Sequence, residues 1–327
     1  MREVQRPSPR AGEILVKMSR CGVCGTDVEK VRGGAITPPV LGHEVVGEVA
    51  ELGSGVRGLK SGDRVFAHHH APCYKCETCT RGEHTLCKEF PRHNLNPGGF
   101  SEYYIVPRWN VDKGAVLKLP DNVNDDEGTF IEPLACCLRG LSKVRADACR
   151  SALIYGAGPV GLMHLLLLQR LGYERVVVAD PSKYRSAFAS RLGARAVFDP
   201  TKDDQRGRAR DAFEDPGPEI SIVATGSPLA LSDAIRNVAP GGRVLMFGAP
   251  TGGSTLKLNL SEFFLRGVSV VSSYSTSEKD IALALRILTT EGPKVSRLVT
   301  HRFELEEAPE AFRAAEEQKC VKALVSG

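Results

Sequence analysis

Residues 151–161 join an apolar run to a glycine-rich turn and read Ser151-Ala152-Leu153-Ile154-Tyr155-Gly156-Ala157-Gly158-Pro159-Val160-Gly161. The pattern is a buried strand, a G-x-G-x-x-G turn and a helical stretch that continues to Leu171. In such a unit the first glycine permits the tight turn, the second lets a pyrophosphate approach the backbone, and the third lets the helix pack on the strand. The candidate cofactor-binding residues here are Gly156, Gly158, Pro159, Val160 and Gly161.

Further apolar runs follow this unit, with helical stretches between most of them, at residues 175–180, 196–198, 220–224, 243–247 and 268–271. A helix is expected before the unit, over residues 131–144. Alternating strands and helices predict a parallel sheet with helices on its faces. The fold class is therefore α/β from about Gly128 onward.

Asp180 ends the second strand of this series, nineteen residues past Gly161. A carboxylate at this place accepts hydrogen bonds from the adenosine ribose and repels a 2′-phosphate, which favours NAD over NADP. Arg185 is a further candidate cofactor residue and works against that exclusion. An alternative role for Asp180 is the N-cap of the helix that follows Pro181 and Ser182.

The first 120 residues carry short β-branched runs cut by glycine and proline, at 13–17, 45–49, 63–66 and 103–106. This texture predicts a β-rich, barrel-like domain. The C-terminal part returns to mixed texture, with a strand at 298–303, a helix at 308–317 and a last strand at 320–325. We expect this tail to rejoin the first domain.

Composition excludes several classes of protein. The chain has 327 residues, 42% of them hydrophobic and 25% charged, and a net charge of +4 that is spread along the sequence, so no polyanion-binding surface and no nucleic-acid partner are expected. The longest apolar stretch, 161–168, contains His164 and is far short of the ~20 residues of a membrane span. Residues 1–7 lack the apolar core of a signal peptide, so we expect a cytoplasmic protein.

Four of the ten cysteines lie within fifteen residues: Cys73, Cys76, Cys79 and Cys87. In a reducing compartment such a cluster favours metal ligation over disulfides. Four soft ligands close a tetrahedral zinc site with no open position, which predicts a structural zinc.

A second set of possible ligands is dispersed: Cys24, then His43 and Glu44, then Glu132. Mixed cysteine, histidine and carboxylate ligands suit a zinc that keeps one position for water or substrate. Spacing alone does not bring these residues together. Cys21 and Cys24 could equally form a C-x-x-C redox pair, and His43 could be an ordinary buried histidine.

The order of five motifs resembles the zinc-dependent medium-chain dehydrogenase family over nearly the whole chain. They are Cys24-Gly25-Thr26-Asp27, Gly42-His43-Glu44, the four-cysteine loop, Glu132-Pro133-Leu134 and Gly156 to Gly161. Within the family the chain looks most like the polyol (sorbitol) and threonine dehydrogenases, because Glu132 stands where classical alcohol dehydrogenases place a cysteine. The resemblance implies a GroES-like catalytic domain, residues 1–133 and 275–327, and a Rossmann NAD-binding domain, residues 134–274.

The resemblance also implies roles for individual residues. Cys24, His43 and Glu44 would ligate a catalytic zinc, with Glu132 as a further ligand or as holder of the zinc-bound water. Thr26 would relay the substrate proton and Asp27 would orient His43. Thr225, Gly248 and Lys322 match positions near the cofactor. Glu29 stands where many relatives carry the outer histidine of the relay. His68, His69 and His70 match a stretch that lines the substrate pocket, where polar side chains favour a hydroxylated substrate.

The leading hypothesis is an NAD-dependent oxidoreductase with two zinc ions per subunit, one catalytic and one structural. It would move a hydride between a secondary alcohol, of the polyol, sugar alcohol or cyclitol type, and NAD. The alternatives are L-threonine 3-dehydrogenase or a general alcohol dehydrogenase. From another class, the chain could be a non-catalytic zinc- and nucleotide-binding sensor. A homodimer or homotetramer is expected, because relatives pair sheets between subunits at the strand of residues 268–272.

Overall fold

The fold was examined in a computed structural model, which describes residues 3–33, 40–202, 207, 211–213, 217–290 and 292–327. Its strands, in chain order, are β1 (Ile14–Gly22), β2 (Glu44–Leu52), β3 (Arg64–Ala67), β4 (Tyr103–Val106), β5 (Val116–Lys118), β6 (Ser151–Tyr155), β7 (Arg175–Ala179), β8 (Ala196–Phe198), β9 (Ile220–Val223), β10 (Arg243–Met246), β11 (Ser269–Ser272), β12 (Val299–Glu304) and β13 (Lys322–Ser326).

The α-helices of the described residues are α1 (Gly25–Val31), α2 (Glu77–Thr80), α3 (Arg108–Asp112), α4 (Asp125–Gly128), α5 (Ile131–Lys143), α6 (Pro159–Arg170), α7 (Lys183–Arg191), α8 (Pro228–Asn237), α9 (Leu260–Leu265), α10 (Glu278–Thr289) and α11 (Ala308–Glu316). Short 3-10 turns lie at His84–Leu86, Phe90–Arg92, Ala146–Ala148, Val295–Leu298 and Leu305–Glu307. None of these helices is both long and apolar enough to cross a membrane.

The chain divides into two compact units. One comprises Met1–Ala135 together with Ser275–Gly327, and the other comprises Cys136–Tyr274. The boundary between the units follows Ala135, within helix α5. The domain boundary expected from sequence, after residue 133, falls within the same helix.

The first unit is built on a seven-stranded sheet in the order β12-β13-β1-β2-β3-β5, with β4 also paired to β1. Strand β1 is its centre and pairs antiparallel with β2, β4 and β13. Ile14, Val16 and Met18 alternate along β1 with Lys17, which is exposed, and all three lie in the apolar core. The C-terminal strand β13 thus completes the N-terminal sheet.

The second unit contains a six-stranded sheet in the order β11-β10-β9-β6-β7-β8, with every pair parallel. All five residues of β6 are buried, as expected of a central parallel strand covered on both faces. Chain order reverses beside β6, so this is a doubly wound sheet whose ligand crevice lies at the carboxyl ends of its strands. The predicted α/β class with a β-rich partner domain is confirmed.

Element boundaries differ in a few places from those predicted. The last strand begins at Lys322, after the predicted start at residue 320. The helix expected from Leu162 starts earlier, at Pro159, because proline is well suited to the first helical turn.

Candidate active site

Helix α1 and strand β2 begin at the dispersed ligand set. Cys24 is extended and immediately precedes α1, and His43 immediately precedes β2. The fully buried Asp27 on α1 joins the two segments, because its Oδ2 atom accepts the N–H of Cys24 at 3.3 Å and its Oδ1 atom accepts the N–H of Gly42 at 3.0 Å. Asp27 Oδ1 also lies 3.3 Å from Nδ1 of His43.

The ligand atoms of Cys24, His43 and Glu44 lie within 4.8 Å of one another. A carboxylate beside Nδ1 is the usual outer partner of a metal-bound histidine. It orients the imidazole so that Nε2 can face a metal. One thiolate, one imidazole and one carboxylate form a donor set that suits zinc and leaves room for an exchangeable ligand. The three residues therefore fit a catalytic zinc.

Charge in this cluster is mainly negative. Burial alone would lower the pKa of His43, but Asp27 and Cys24 raise it well above its ordinary value. Burial alone would raise the pKa of Asp27, but His43 and the Gly42 amide bring it below its ordinary value. Such a concentration of anionic groups favours a bound cation.

A buried lysine faces this cluster. Lys322 on β13 is 2% exposed, and its Nζ donates to Oε2 of Glu44 and, at 3.1 Å, to the carbonyl of Val23. Burial raises the pKa of Glu44, and Lys322 opposes that rise. The resemblance to the family predicted that Lys322 lies near the cofactor. Within its own unit, the lysine forms an ion pair with Glu44.

Glu132 is buried in the first turn of α5. Among the described residues, the ligand atoms that lie within 4.8 Å of one another belong to Cys24, His43 and Glu44, and Glu132 is not in this group. The Glu132 carboxylate contributes to raising the pKa of Glu44, so the two acids interact electrostatically.

Thr26 is exposed on the first turn of α1. Glu29, one turn further, is exposed and lies 3.4 Å from the guanidinium of Arg32.

The three consecutive histidines pack beside His43. The ring of His69 lies 4.8 Å from that of His43 and 4.0 Å from that of His70. His68 and His69 are both buried. Burial lowers the pKa of His69 well below its ordinary value, so its ring is neutral.

The four-cysteine loop forms a compact cluster. Sulfur atoms of Cys73 and Cys79 lie 3.9 Å apart, and those of Cys76 and Cys87 lie 3.8 Å apart. Four sulfurs at about 2.3 Å from a zinc are about 3.8 Å from one another in a regular tetrahedron. None of these four cysteines forms a disulfide, so they are available as thiolates, and their arrangement fits zinc.

The glycine-rich turn of the second unit leaves β6 and enters α6. Gly156 has a φ of +100°, a conformation that glycine adopts at little cost. A Cβ atom on Gly161 would lie 1.8 Å from the carbonyl oxygen of Gly156, so a side chain there would push the helix off the strand. Gly158 precedes the helix and Pro159 and Val160 form its first turn, with their N-terminus available for an anion.

Asp180 follows β7 and is buried beside this turn. Its Oδ2 accepts the N–H of Ala157 and its Oδ1 accepts the N–H of Ser182, each at 2.7 Å. A carboxylate oxygen can accept more than one hydrogen bond, so contacts to a ribose remain possible. Ser182, and not Asp180, caps helix α7, because its hydroxyl accepts the N–H of Arg185 at 3.4 Å.

Arg185 lies over the same turn. Its Nη1 atom is 3.8 Å from the position of a Cβ on Gly158, and its Nε is buried without a hydrogen-bond partner among the described residues. Thr225 and Gly248 follow β9 and β10 and line a cavity of about 240 Å³. These residues therefore border the carboxyl ends of the parallel strands, where a doubly wound sheet binds its ligand.

Two family models match successive parts of the chain. Residues 10–121 match the model of the alcohol dehydrogenase GroES-like domain, and residues 159–290 match that of the zinc-binding dehydrogenase family. The L-threonine 3-dehydrogenase of Pyrococcus furiosus is 31% identical over 98% of this chain and 93% of its own length. The Probable D-xylulose reductase A of Aspergillus clavatus is 30% identical over 98% of this chain and 92% of its own length.

Among solved structures, a protein of Sinorhizobium meliloti 1021 described as a zinc-binding dehydrogenase and bound to NADP superposes with a TM-score of 0.89. It is 29% identical and covers 100% of this chain and 95% of its own.

Proposed function

The chain belongs to the zinc-dependent medium-chain dehydrogenase family, and on that basis we propose that it oxidises a secondary alcohol of the polyol type with NAD as the hydride acceptor. The observation that carries this proposal is the approach of Cys24, His43 and Glu44 to within 4.8 Å, with Asp27 behind His43. The chain is an oxidoreductase by family, and the substrate class and the choice of NAD are proposals.

Cys24, His43 and Glu44 would hold the catalytic zinc, and Glu132 would stay close to it as an alternative ligand or as a partner of a bound water. Zinc, when bound, supplies a Lewis acid that lowers the pKa of an alcohol toward neutrality. Asp27 lies beside Nδ1 of His43 and would favour the tautomer that leaves Nε2 for the metal, and Lys322 donates to one oxygen of Glu44. The four-cysteine loop would hold a second, structural zinc.

The reaction removes two hydrogens from the alcohol. NAD, held by the glycine-rich turn, would supply the hydride acceptor, and the hydroxyl proton would pass to solvent, so that the overall products would be a ketone, NADH and H⁺. Thr26 is the proposed first acceptor of that proton, because its hydroxyl can both donate and accept and lies at the exposed start of α1. Glu29, which stands at the position of the outer relay histidine, is also exposed.

Two observations support a polyol. The ring of His69 lies beside that of His43 and the ring of His70 lies beside that of His69, and polar side chains there suit a substrate with additional hydroxyl groups. A relative over nearly the whole chain is named as a xylulose reductase. Threonine is the second candidate, because the Pyrococcus furiosus relative is named as an L-threonine 3-dehydrogenase.

NAD is proposed over NADP because the Asp180 carboxylate lies buried beside the glycine-rich turn, where it would repel a 2′-phosphate. Arg185 opposes this preference. Comparing NAD and NADP as acceptors with the same substrate measures the balance.

The first experiment is formation of NADH, followed by absorbance, with a panel of polyols, cyclitols, threonine and simple secondary alcohols, each with and without a zinc chelator. A signal confined to one compound class and removed by the chelator would support the proposal and identify the substrate class. Absence of signal with every compound, in protein that contains zinc and binds NAD, would favour the sensor hypothesis.

The variant Cys24→Ser tests the assignment of the catalytic ligand. Loss of an outer partner of a metal ligand typically lowers activity by about 10–100-fold. We expect a larger loss of activity in Cys24→Ser, which removes a ligand itself, and we expect the structural zinc to be retained. Cys21→Ser is the matched control, since Cys21 is a buried cysteine three residues away. If both variants lose activity equally, a C-x-x-C pair is favoured over a zinc ligand.

A further inference from the structure

Glu278 is the first residue of α10 and connects two other segments of its unit. Its Oε1 atom lies 3.1 Å from Nδ1 of His68, and its Oε2 atom accepts the hydroxyl hydrogen of Tyr74. His68 is fully buried and the side chain of Glu278 is 10% exposed, so both contacts are shielded from water. The catalytic proposal gives no role to this Tyr74–Glu278–His68 network.

Tyr74 lies between two ligands of the four-cysteine loop, Cys73 and Cys76. It has a φ of +59°, in the left-handed region that residues other than glycine rarely adopt. Its ring packs edge-on against His84 at 5.0 Å. A strained conformation persists only where surrounding contacts hold it, and the contact with Glu278 is one that reaches outside the loop.

The four-cysteine loop has little regular structure of its own. Its one α-helix, α2, has four residues, and its buried cluster consists of three cysteines and Phe90. Hydrogen bonds from two aromatic side chains connect this region to the rest of the unit. The Trp109 indole donates to the carbonyl of Ala71 at 2.9 Å, and the Tyr74 hydroxyl donates to Glu278. Tyr74 is the one that lies between two of the metal ligands in sequence.

Glu278 itself is rigidly placed. The preceding residue, Ser277, is buried, and its N–H and hydroxyl both donate to Oδ2 of Asp280, at 3.0 and 2.8 Å. This capping box fixes the start of α10 and so the backbone position of Glu278. On the other side, His68 is fixed by its N–H to the carbonyl of Ala115 at 2.8 Å and by Asn110, which donates to its carbonyl at 3.0 Å.

We propose that Glu278 is a positioning residue for the four-cysteine metal site, holding Tyr74, and with it the Cys73–Cys76 turn, against the buried His68. The inference rests on the proposed zinc in that loop and is independent of the reaction catalysed. Outer partners of metal ligands typically change metal affinity by about 10–100-fold. Loss of the carboxylate should therefore speed release of this metal without removing any ligand.

The test follows metal release from purified full-length protein into an excess of a chromogenic chelator. Glu278→Ala and Tyr74→Phe should each release the four-cysteine zinc about 10-fold faster than the unaltered chain, and Glu278→Gln, which keeps an acceptor for the Tyr74 hydroxyl, should restore part of the difference. The double variant should be no faster than Glu278→Ala alone, because both changes remove one shared interaction. Lys279→Ala, an exposed change on the same helical turn, is the control and should release zinc at the original rate.

Cobalt substitution gives a second readout, since thiolate-to-cobalt charge-transfer absorption grows with the number of thiolate ligands and the four-thiolate site therefore contributes most of it. We expect this spectrum to shift in Glu278→Ala and to return toward the original in Glu278→Gln. Unchanged release and spectrum in Tyr74→Phe, which keeps the ring and the carboxylate, would overturn the inference even if Glu278→Ala does not fold. Absence of any metal at the four cysteines would overturn the proposed structural zinc and the inference together.

Discussion

The backbone N–H of Ala157 donates a 2.7 Å hydrogen bond to Oδ2 of Asp180. The acid that would recognise the ribose therefore also fixes the glycine-rich turn that would hold the pyrophosphate. If Asp180 discriminated between the cofactors only by its charge, replacing it would weaken the binding of NAD and strengthen the binding of NADP. If Asp180 also shapes the turn, removing its hydrogen bond should weaken the binding of both.

Asp180→Ala and Asp180→Asn separate these two contributions. Asparagine keeps one acceptor oxygen for the Ala157 amide but removes the charge, so we expect it to weaken NAD binding modestly and to improve NADP binding. Alanine removes the acceptor as well, and a hydrogen bond to a charged group contributes about 1.5–3 kcal/mol, so both cofactors should bind roughly 10–100-fold more weakly. Calorimetric titration of each variant with NAD and NADP measures this, and identical behaviour of the two variants would show that the turn does not depend on Asp180.

The buried Lys322–Glu44 pair predicts a large effect of removing one partner. Lys322→Met leaves the Glu44 carboxylate buried without its cation, which typically costs about 3–5 kcal/mol. Lys322→Arg keeps the charge and should cost less. Urea unfolding of the two variants gives the difference in free energy, and the double variant Lys322→Met with Glu44→Gln should recover part of the loss. If Lys322→Met is as stable as the unaltered chain, Glu44 does not depend on this lysine.

Regular elements of the second unit were predictable from sequence because burial on both faces leaves an unbroken apolar signal. Strands β6 and β8 have the predicted bounds, and β7, β9 and β10 differ only at their last residue. Helix α1 gives no such signal, since it is short and begins with Gly25, Thr26 and Asp27, which are typical of a turn. Its start is fixed by the bond between Asp27 and the Cys24 N–H, a contact that no periodicity reveals.

Side-chain partnerships were less predictable than the elements that carry them. The four cysteines are close in sequence, so their cluster could be inferred from spacing. Cys24 and His43 come together through the pairing of β1 with β2 and through the hydrogen bonds of Asp27, and the resemblance to a family was needed to group them. Contacts that span most of the chain, such as Lys322 with Glu44 or Glu278 with Tyr74, leave no local pattern at all.

The outer edge of the second sheet predicts self-association. Strand β11 is the terminal strand of its sheet, and Phe264 and Leu265 on the preceding helix are each 82% exposed. Unpaired strand edges and exposed apolar patches mark surfaces that other chains cover. We expect a dimer or tetramer in solution and a lower mass for the double variant Phe264→Asp with Leu265→Asp, measured by light scattering after gel filtration. Leu171→Asp, at another partly exposed leucine of the same unit, is the control, and an unaltered chain that is monomeric would contradict the prediction.

Stability in mildly acidic solution should depend on His164, which is fully buried in α6. Its Nδ1 lies 2.9 Å from the Val160 carbonyl, its ring packs edge-on against Phe247, and burial lowers its pKa from 6.5 to about 4. Between these two values the unfolded chain binds a proton that the folded chain does not, so the free energy of unfolding falls as pH drops from about 6.5 to about 4 and is unaffected by this group above that range.

Replacing this histidine with a residue that does not titrate should therefore flatten the pH dependence. We expect His164→Leu to lose less stability than the unaltered chain between pH 7 and pH 5, with the difference bounded by roughly 3 kcal/mol at full protonation. Thermal unfolding of both proteins at several pH values gives the comparison, and acid effects on the proposed metal ligands cancel because both proteins carry them. Parallel curves would mean that another group, and not His164, takes up the proton on unfolding.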